Sequence, residues 1–580
     1  MSETINYRKL KDQWKKEGRI PEWYSSNALQ FFMETYSYEG EDVKTRDETT
    51  NKWLAKYAPE VYPDWWEEDE YFKGLTWEQA FNKLDWDGYC IKSTPLKANG
   101  GLPFRGLTVS CCGQELSNSI ASKAFARGEL EVLIKNSHGC SMTVSDWLSE
   151  GTVYDSDGNR SHGIVPILEE FQEATLAINQ GIRRGVTLFG VNALHGDFWK
   201  VAKKLYDEAD KLNIAWILTD EFVSLLENGD EETIKRWNKI ISIRMSKGKG
   251  YFTKIDTMNR NKAKIFKDLN LEVKGSNLCN EVNLPVNEEY SFTCVIVNAN
   301  LTMYRTFPKH LFHVLHVMQD CNVSGYVDEI KKKTGYNSLF LSKVLKFTED
   351  FRAVGMGVAG FHSLLMQEKI VFGSLESFFL NNEIFKRMRK DLEECSEWLA
   401  KVLGEPPALK GTGKRNATLM MMPPTKSSTE LARNSPSESI NPMTALVRVK
   451  EVVGGDIFRI EPVLLRLLKE KGKYNDDVIN DIARHKGSVQ HLDFLTQEEK
   501  AYLRTAFEVP MDSHLDLCAQ RQKHIDQQQS INVYLANHDS EEYIAEIHKK
   551  ALLDEDINGL YYCYSSRGGD YERAECIVCQ

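Results

Sequence analysis

The sequence predicts an α/β protein built around a largely parallel β-sheet. Between about residues 90 and 300, short apolar runs such as 186–189 and 216–218 alternate with helix-length segments such as 198–212. Strands separated by helix-length segments pair in parallel, because a long crossover must return the chain to the same edge of the sheet. At 580 residues the chain can form several domains or one large barrel, and its periodicity fits a barrel and a doubly wound sheet equally well.

Residues 1–85 predict a helical region ahead of this sheet. The segment is rich in tryptophan, and Thr76 stands three residues before Gln79. This spacing is typical of a capping box, in which the two side chains accept hydrogen bonds from each other's backbone amides. We therefore expect a helix to begin directly after Thr76.

Three later segments differ in composition from the sheet region. Gly355, Gly357 and Gly360 indicate close backbone packing, and an amphipathic helix is expected at about 384–403. Residues 405–440 turn to Pro, Lys, Ser and Thr, which favours a loop or a linker. The last fifteen residues contain few apolar side chains and are expected to form a mobile tail.

Charge and hydropathy exclude two classes of partner. The formal net charge of -11 and the pI near 5.8 argue against duplex nucleic acid, which binds dense basic surfaces. The charged N-terminal segment lacks the apolar core of a signal peptide, and no apolar run reaches the roughly eighteen residues of a membrane span. We expect a cytoplasmic protein.

The cysteines are too sparse for a disulfide scaffold. The 12 cysteines are spread over the whole length, whereas disulfide-stabilised folds are short, dense and secreted. In a reducing compartment we expect free thiols, and any disulfide that forms is expected to be catalytic and transient.

One polar segment near the middle of the chain has the spacing of a reactive site. Asn277, Cys279 and Glu281 would share one face of an extended segment, whereas on a helix Cys279 would lie about 200° from Asn277. The alternative interpretation is a small buried cysteine between surface polar residues. The surrounding sequence must decide between the two.

Six segments fall in the order and at the spacings of one known family: Thr94 with Pro95, Ser110 with Cys111, residues 276–281 followed by Cys294, residues 424–428, Tyr561 with Tyr562, and Cys576 with Cys579. From about residue 90 onward the chain resembles the large catalytic subunit of class I ribonucleotide reductase. The resemblance implies a ten-stranded α/β barrel of two five-stranded parallel halves arranged antiparallel, with a central finger loop. It implies a helical region without an ATP cone at 1–85, a barrel at 86–563 and a redox-active tail at 564–580.

The chemistry of that family needs these residue types. Loss of the ribose 2′-hydroxyl proceeds through a radical at the 3′ carbon, and a cysteine S–H bond is weak enough to exchange hydrogen reversibly with carbon. The resemblance thus implies Cys279 as radical carrier, Glu281 as general base for the 3′-hydroxyl and Asn277 as a hydrogen-bond partner of the sugar.

Two further thiols are implied as the source of electrons. The resemblance assigns Cys111 and Cys294 to a dithiol that protonates the departing hydroxyl and ends as a disulfide; the alternative is a pair of buried structural thiols. Cys112 is expected to face away from Cys111 on an extended strand. Cys576 and Cys579 would then carry electrons from thioredoxin or glutaredoxin, with a structural zinc half-site as the alternative.

Tyr561 and Tyr562 resemble the family's stacked pair, which passes a radical from a metal-containing small subunit to the active-site cysteine. A phenol can lose an electron and a proton together, although adjacent tyrosines can stack only on irregular backbone. The alternative is two core aromatic residues. The chain itself is expected to hold no permanent cofactor and no metal.

The resemblance also implies a set of substrate-binding residues. A diphosphate is held by backbone amides and a few polar side chains. Besides Asn277, Cys279 and Glu281, the set comprises Thr94, Ser110, Gly139, Leu278, Pro424, Thr425, Lys426, Ser427 and Ser428.

The chain departs from the family pattern where relatives sense nucleotides. Asn118 and Leu148 stand where the family has an acidic residue and an arginine, so the control of substrate choice by dNTP or ATP effectors is expected to be altered or absent. Without an ATP cone, inhibition by dATP at that domain is not expected. A compact chain without these regulatory features is typical of bacteriophage members, so we expect the protein in a host cytoplasm. We also expect a homodimer.

Two other functions remain open from the sequence. An adenosylcobalamin-dependent reductase would need no second protein, since similar tyrosine pairs occur there. A nucleotide-binding relative without turnover would have no chemical need for Cys111, Cys279, Cys294, Glu281 and both tail cysteines. A reductase of ribonucleoside diphosphates, which supplies precursors for DNA replication, fits these residues best.

Overall fold

The computed structural model describes residues 5–178, 185–452 and 455–566. Within them, helices and strands alternate along most of the chain. The helices are α1 (Tyr7–Lys16), α2 (Ser26–Thr35), α3 (Val43–Ala55), α4 (Trp77–Asp87), α5 (Thr94–Asn99), α6 (Ile120–Lys135), α7 (Val165–Ala177), α8 (Phe198–Asp207), α9 (Asp220–Glu227), α10 (Glu231–Lys247), α11 (Ile255–Asn261), α12 (Lys264–Asp268), α13 (Leu311–Lys331), α14 (Tyr336–Phe340), α15 (Ser342–Phe351), α16 (Phe361–Gln367), α17 (Leu375–Leu403), α18 (Lys426–Thr429), α19 (Pro462–Glu470), α20 (Asp476–Arg484), α21 (Gln497–Tyr502), α22 (Met511–Gln522) and α23 (Glu541–Leu553), with short 3₁₀ helices at Trp66–Glu68, Leu301–Thr306 and Pro407–Leu409.

The strands are β1 (Cys90–Lys92), β2 (Cys111–Glu115), β3 (Gly139–Thr143), β4 (Thr187–Asn192), β5 (Ile214–Leu218), β6 (Tyr251–Lys254), β7 (Phe292–Cys294), β8 (Ile296–Asn300), β9 (Gly355–Ala359), β10 (Val447–Val452), β11 (Gly455–Ile460), β12 (Val533–Leu535), β13 (Gly559–Leu560) and β14 (Cys563–Ser565).

The first half of the sheet is regular. Strands β2 to β6 lie side by side in chain order, and each neighbouring pair is parallel. Helices from α6 to α10 connect consecutive strands, as the alternation of short apolar runs and helix-length segments predicts. The predicted parallel sheet is confirmed.

The second half is made of shorter pieces. Strands β7 and β8 are one run interrupted at Val295, and β8 pairs in parallel with β9. Parallel bridges then join Met356 to Met420 and Met422 to Gln529, and β12 pairs in parallel with β14. Each half thus supplies five strand positions.

Two antiparallel seams close these halves into a barrel. At one seam β7 pairs with β2, and at the other β13 pairs with β6. A doubly wound sheet has two open edges, whereas both edges of the regular half are covered here by strands of the other half. The ten-stranded barrel expected from the resemblance is confirmed.

Residues 405–440 are not a linker, contrary to one of the two interpretations of their composition. Met420, Met421 and Met422 are fully buried, and this segment provides one of the barrel's strand positions. The glycines predicted to pack closely lie beside it: a Cβ at Gly355 would stand 2.2 Å from the Met421 side chain. A three-residue apolar stretch is too short to change the average composition of a polar window, so the strand escapes pattern analysis.

The helical N-terminal region packs on the barrel through its aromatic residues. Trp53, Trp66 and Trp77 belong to the main hydrophobic core. The predicted capping box is present, with the Gln79 amide donating to Thr76 Oγ1 at 3.3 Å and the Thr76 amide donating to Gln79 Oε1 at 2.8 Å. Helix α17 begins earlier than the predicted 384–403 and ends at Leu403 as expected. Among the described residues, no helix combines the length and apolar character needed to cross a bilayer.

Candidate active site

A cleft of about 700 Å³ opens to solvent where segments from both halves of the barrel meet. Its walls are polar on the side of residues 423–428 and contain thiols on the side of β2. The sequence-predicted residues that line it are Thr94, Ser110, Cys111, Gly139, Leu278, Cys279, Glu281, Pro424, Thr425, Lys426, Ser427 and Ser428. One fold therefore brings together most of the residues that are dispersed over more than half of the sequence.

The segment that carries Cys279 is a turn, not the extended strand that its spacing predicted. The Asn280 amide donates to the Asn277 carbonyl at 3.0 Å, and Asn280 has a left-handed φ of 61°. The Asn277 side-chain oxygen accepts from the amides of Glu281 at 3.0 Å and Val282 at 3.2 Å. An asparagine that bonds nearby amides competes with strand pairing, which explains why the extended expectation is wrong.

The turn still presents Cys279 and Glu281 to the cleft, but Asn277 lies behind them. Asn277 is fully buried and is not among the lining residues of the cleft. Its Nδ2 donor finds no hydrogen-bond partner among the described residues. A buried amide of this kind retains the capacity to bind a sugar hydroxyl if a ligand reaches it.

Two residues that sequence reasoning missed hold the turn in place. Gln528 Nε2 donates to Ser276 Oγ at 2.8 Å and to the Asn280 carbonyl at 2.9 Å. Ser530 Oγ donates to the Cys279 carbonyl at 2.6 Å and lies 3.3 Å from Glu281 Oε2. The available signal was the run of polar residues at 527–530, which is entirely buried in the fold.

Cys111 and Cys294 face each other across the seam between β2 and β7. They are register partners in that antiparallel pair, and both are in the reduced form. Burial is the main cause that raises the pKa of the Cys294 thiol. Its hydrogen bond with Cys111 and the nearby Glu281 carboxylate raise this pKa further. Cys294 Sγ lies 3.8 Å from Glu281 Oε1. Cys294 is therefore held as a neutral thiol, the form that can donate hydrogen.

Cys112 lies on the opposite face of β2, as strand alternation predicts. It packs in the main core, whereas Cys111 packs with Cys279 and Cys294 in a separate inner cluster. Gly139, the register partner of Cys111, leaves space at the cleft: a Cβ there would stand 2.9 Å from Leu278 Cδ2 and 3.7 Å from Cys111 Sγ. A larger residue would crowd the wall that the thiol shares.

Residues 423–428 form the polar wall of the cleft; the segment is a loop up to Thr425, and Lys426 begins the short helix α18. Thr425 is buried, and its Oγ1 accepts from the Ser439 amide at 2.8 Å, which fixes the start of the loop. Among the residues that line the cleft, Lys426 has the basic side chain. Thr94, which also lines the cleft, has its Oγ1 3.0 Å from Tyr36 Oη, so the helical N-terminal region supports the cleft.

Tyr561 and Tyr562 occupy irregular backbone between β13 and β14, as a contacting pair requires. Their ring centroids lie 4.3 Å apart at 61°, so the rings meet edge to face and are not stacked as the resemblance implied. Edge-to-face contact is favoured by the aromatic quadrupole. Tyr251 touches both rings, and all three share the buried cluster of Cys279.

The remaining predicted residues lie away from the cleft. Asn118 is exposed between β2 and α6, and Leu148 is partly exposed in the loop after β3. The tail cysteines, Cys576 and Cys579, lie outside the described residues. Their roles remain predictions.

Known proteins are similar to this chain over most of its length. The family model "Ribonucleotide reductase, barrel domain" matches residues 232–411 and 405–563. The ribonucleoside-diphosphate reductase large subunit of Invertebrate iridescent virus 3 is 31% identical over 370 residues, which cover 63% of this chain and 57% of that protein. A putative large subunit of the same enzyme from Frog virus 3 is 27% identical over 455 residues, which cover 73% of this chain and 79% of that protein.

A solved structure extends the similarity to the whole fold. The class Id ribonucleotide reductase alpha subunit of Actinobacillus ureae superposes with a TM-score of 0.83 at 27% identity. The superposition covers 96% of this chain and 99% of that one. The barrel and the helical region ahead of it thus have a counterpart of the same extent.

Proposed function

Because the chain belongs to the family of ribonucleotide reductase barrel proteins, we propose that it is the catalytic large subunit of a ribonucleoside-diphosphate reductase. It would convert ribonucleoside diphosphates into the 2′-deoxy compounds that DNA replication consumes. The observation that carries this proposal is that Cys279, Glu281 and Cys111 line one cleft, with Cys294 buried next to it as the register partner of Cys111 and 3.8 Å from Glu281 Oε1. Three thiols and a carboxylate are the groups that radical reduction of a ribose requires.

The reaction balances with these side chains alone once Cys279 is a thiyl radical. Cys279 takes the hydrogen from the 3′ carbon, and Glu281 accepts the proton of the 3′-hydroxyl. The 2′-hydroxyl leaves as water with a proton from the dithiol. Cys111 and Cys294 supply two electrons and two protons in total, one proton to the departing water and one hydrogen to the 2′ carbon, and become a disulfide. Glu281 gives its proton back to the 3′ oxygen, and Cys279 returns its hydrogen to the 3′ carbon.

The geometry of the cleft suits this sequence of events. The cleft places Glu281 between the turn of Cys279 and the dithiol, since its carboxylate approaches both Ser530 Oγ and Cys294 Sγ. The high pKa of Cys294 keeps the donor thiol protonated at neutral pH. The hydrogen bond from the Ser530 hydroxyl to the Cys279 carbonyl holds the backbone of Cys279 in place, so that hydrogen transfer to its sulfur begins from one defined position.

Diphosphate recognition is assigned to the wall formed by residues 424–428. Lys426 supplies a positive charge there, and Thr94, Ser427 and Ser428 supply hydroxyl groups. A charge-assisted hydrogen bond to a phosphate oxygen is stronger than a neutral one, so Lys426 would dominate the affinity for the diphosphate. Ser110 and Gly139 would form the opposite wall, next to the sugar.

A large subunit of this family works with a small subunit, and the finer assignments follow from that role. The small subunit would carry the metal-containing oxidant, and Tyr561 and Tyr562 would pass the radical to Cys279. Cys576 and Cys579 would restore the dithiol with thioredoxin or glutaredoxin as donor. We further propose that the protein is a homodimer in the cytoplasm and that this chain holds no permanent cofactor. Control by dNTP and ATP effectors would be weakened or absent because of Asn118 and Leu148.

The test is reduction of CDP with a candidate small subunit and dithiothreitol as reductant. We expect dCDP from the wild type, none from Cys279→Ser, and near wild-type activity from Cys90→Ser, whose thiol lies outside the cleft. Turnover that survives Cys279→Ser would exclude the radical role. Activity that requires adenosylcobalamin and no second protein would assign the chain to the cobalamin-dependent class.

A further inference from the structure

The row of tyrosines does not end at Tyr562. The Tyr562 and Tyr564 ring centroids lie 5.8 Å apart, and Tyr564 stacks on Tyr534 at 5.2 Å with an angle of 8° between the rings. The register of the parallel strands fixes this stack, because Tyr534 and Tyr564 are direct partners in the pairing of β12 with β14. The pairing of β12 with β14 therefore fixes the relative position of the two rings.

These rings differ in their access to solvent. Tyr561 and Tyr562 are each 2% exposed, and Tyr534 is 3% exposed. Tyr564 is partly exposed. An oxidant docked on the surface thus meets Tyr564 first, while Tyr562 stays behind it.

We infer that Tyr564 is the surface station through which the one-electron oxidant of the partner subunit reaches Tyr562. The oxidant removes one electron and one proton from the Tyr564 phenol. The Tyr564 phenoxyl then takes one electron and one proton from Tyr562, so Tyr564 returns to phenol and Tyr562 becomes the radical. This step rests on the proposed function, because it starts from a radical-generating partner and ends at Cys279.

Tyr534 has a supporting part in this arrangement. Its ring covers one face of Tyr564, and its Oη accepts from Asn532 Nδ2 at 3.2 Å. Its ring meets Phe507 edge to face, with the centroids 5.9 Å apart, and stacks on Tyr564. Burial raises the pKa of Tyr534, which keeps it a neutral phenol beside the station.

The experiment compares Tyr564→Phe with Tyr534→Phe in the full chain with the small subunit, CDP and dithiothreitol. Dithiothreitol reduces the dithiol directly and so removes any effect on the tail. We expect kcat to fall at least about tenfold in Tyr564→Phe, with unchanged KM and unchanged small-subunit affinity. Tyr534→Phe keeps the stacked ring and should retain activity within about twofold, as should Tyr336→Phe on the exposed α14.

A spectroscopic measurement separates radical transfer from a structural role. With 3-aminotyrosine at position 564, mixing with the small subunit and CDP should build up an aminotyrosyl radical visible by electron paramagnetic resonance. Wild-type activity in Tyr564→Phe, or no trapped radical at position 564, would overturn the inference. The proposed function would still stand in that case, provided that the wild type reduces CDP. An equal loss in Tyr534→Phe would overturn the assignment of the station to Tyr564. Failure of the wild type to reduce CDP would instead count against the proposed function.

Discussion

The two halves of the barrel are built by different means. In the regular half, β2 to β6 are joined by continuous main-chain ladders of four or five residue pairs. In the other half, two neighbouring contacts are single bridges, at Met356 with Met420 and at Met422 with Gln529. Side chains replace the missing ladder there: the Asp526 carboxylate accepts from the amides of Leu419 and Met420, and Gln527 Nε2 donates to the Val354 carbonyl at 3.0 Å.

The regular half serves mainly as the scaffold, whereas the irregular half provides more of the residues assigned to the reaction. Several groups of the site lie where the ladder of the irregular half is interrupted: Cys294 before the break at Val295, the loop after Met422, Ser530 before β12, and Tyr561 with Tyr562 between β13 and β14. Cys279 and Glu281 lie on the turn between α12 and β7, outside any strand. Regular strands commit their backbone groups to neighbours, whereas interrupted strands leave room for side chains to point inward. The regular half contributes Cys111 and the space at Gly139.

Loss of the carboxylate on the turn should produce the largest effect in this comparison. Glu281→Gln keeps the size of the side chain but cannot accept the 3′-hydroxyl proton, so we expect kcat for CDP to fall by about 10²- to 10⁴-fold. Steady-state kinetics measure this. Glu289→Gln, with a side chain 68% exposed, should leave kcat unchanged. A Glu281→Gln enzyme with wild-type kcat would remove the general base from the account.

Removing a side-chain hydrogen bond should lower the free energy of unfolding more when the residue lies in the irregular half than when it lies in the regular half. Gln528→Ala removes the donor that binds Ser276 and Asn280, and we expect the free energy of unfolding to fall by about 1–3 kcal/mol. The turn should also loosen, with faster hydrogen exchange at residues 276–282. In the regular half, Ser141→Ala removes only a long 3.4 Å contact to the Cys112 carbonyl and should cost at most about 0.5 kcal/mol. Equal shifts of the urea midpoint in the two variants would contradict the distinction.

The third test concerns substrate binding at the loop after Met422. Lys426→Met removes the positive charge at the diphosphate wall, and we expect the KM for CDP to rise about tenfold with little change in kcat, because the contact is made equally in ground and transition states. Lys410→Met, on an exposed residue outside the cleft, is the matched control. An unchanged KM in Lys426→Met would move diphosphate binding away from this loop.

Sequence alone predicted the regular half and missed the construction of the other. Apolar runs separated by helix-length segments predict a largely parallel sheet and mark β4 and β5, whereas the polar composition around Met420 and Met422 predicts a loop or a linker and hides a strand position. The barrel closure came from the resemblance to a known family, since periodicity carries no information on the antiparallel seams. The site residues were located by the same resemblance, whereas Gln528 and Ser530 were missed because their role depends on contacts about 250 positions away in the chain.

The turn at Cys279 shows why spacing is insufficient at a functional site. Asn277, Cys279 and Glu281 fit an extended segment, yet the Asn277 side chain bonds the amides that a strand would offer to a neighbour. Strand alternation gave the right result only where the backbone is truly paired, as for Cys111 and Cys112 on β2.

The central claim is that Cys111 and Cys294 supply the two electrons of the reduction. The direct measurement is a single turnover of the pre-reduced Cys576→Ser/Cys579→Ser variant with CDP and the small subunit, without external reductant, followed by peptide mapping. The account predicts one Cys111–Cys294 disulfide for each dCDP formed. Formation of dCDP with both thiols still open to alkylation after denaturation would contradict it.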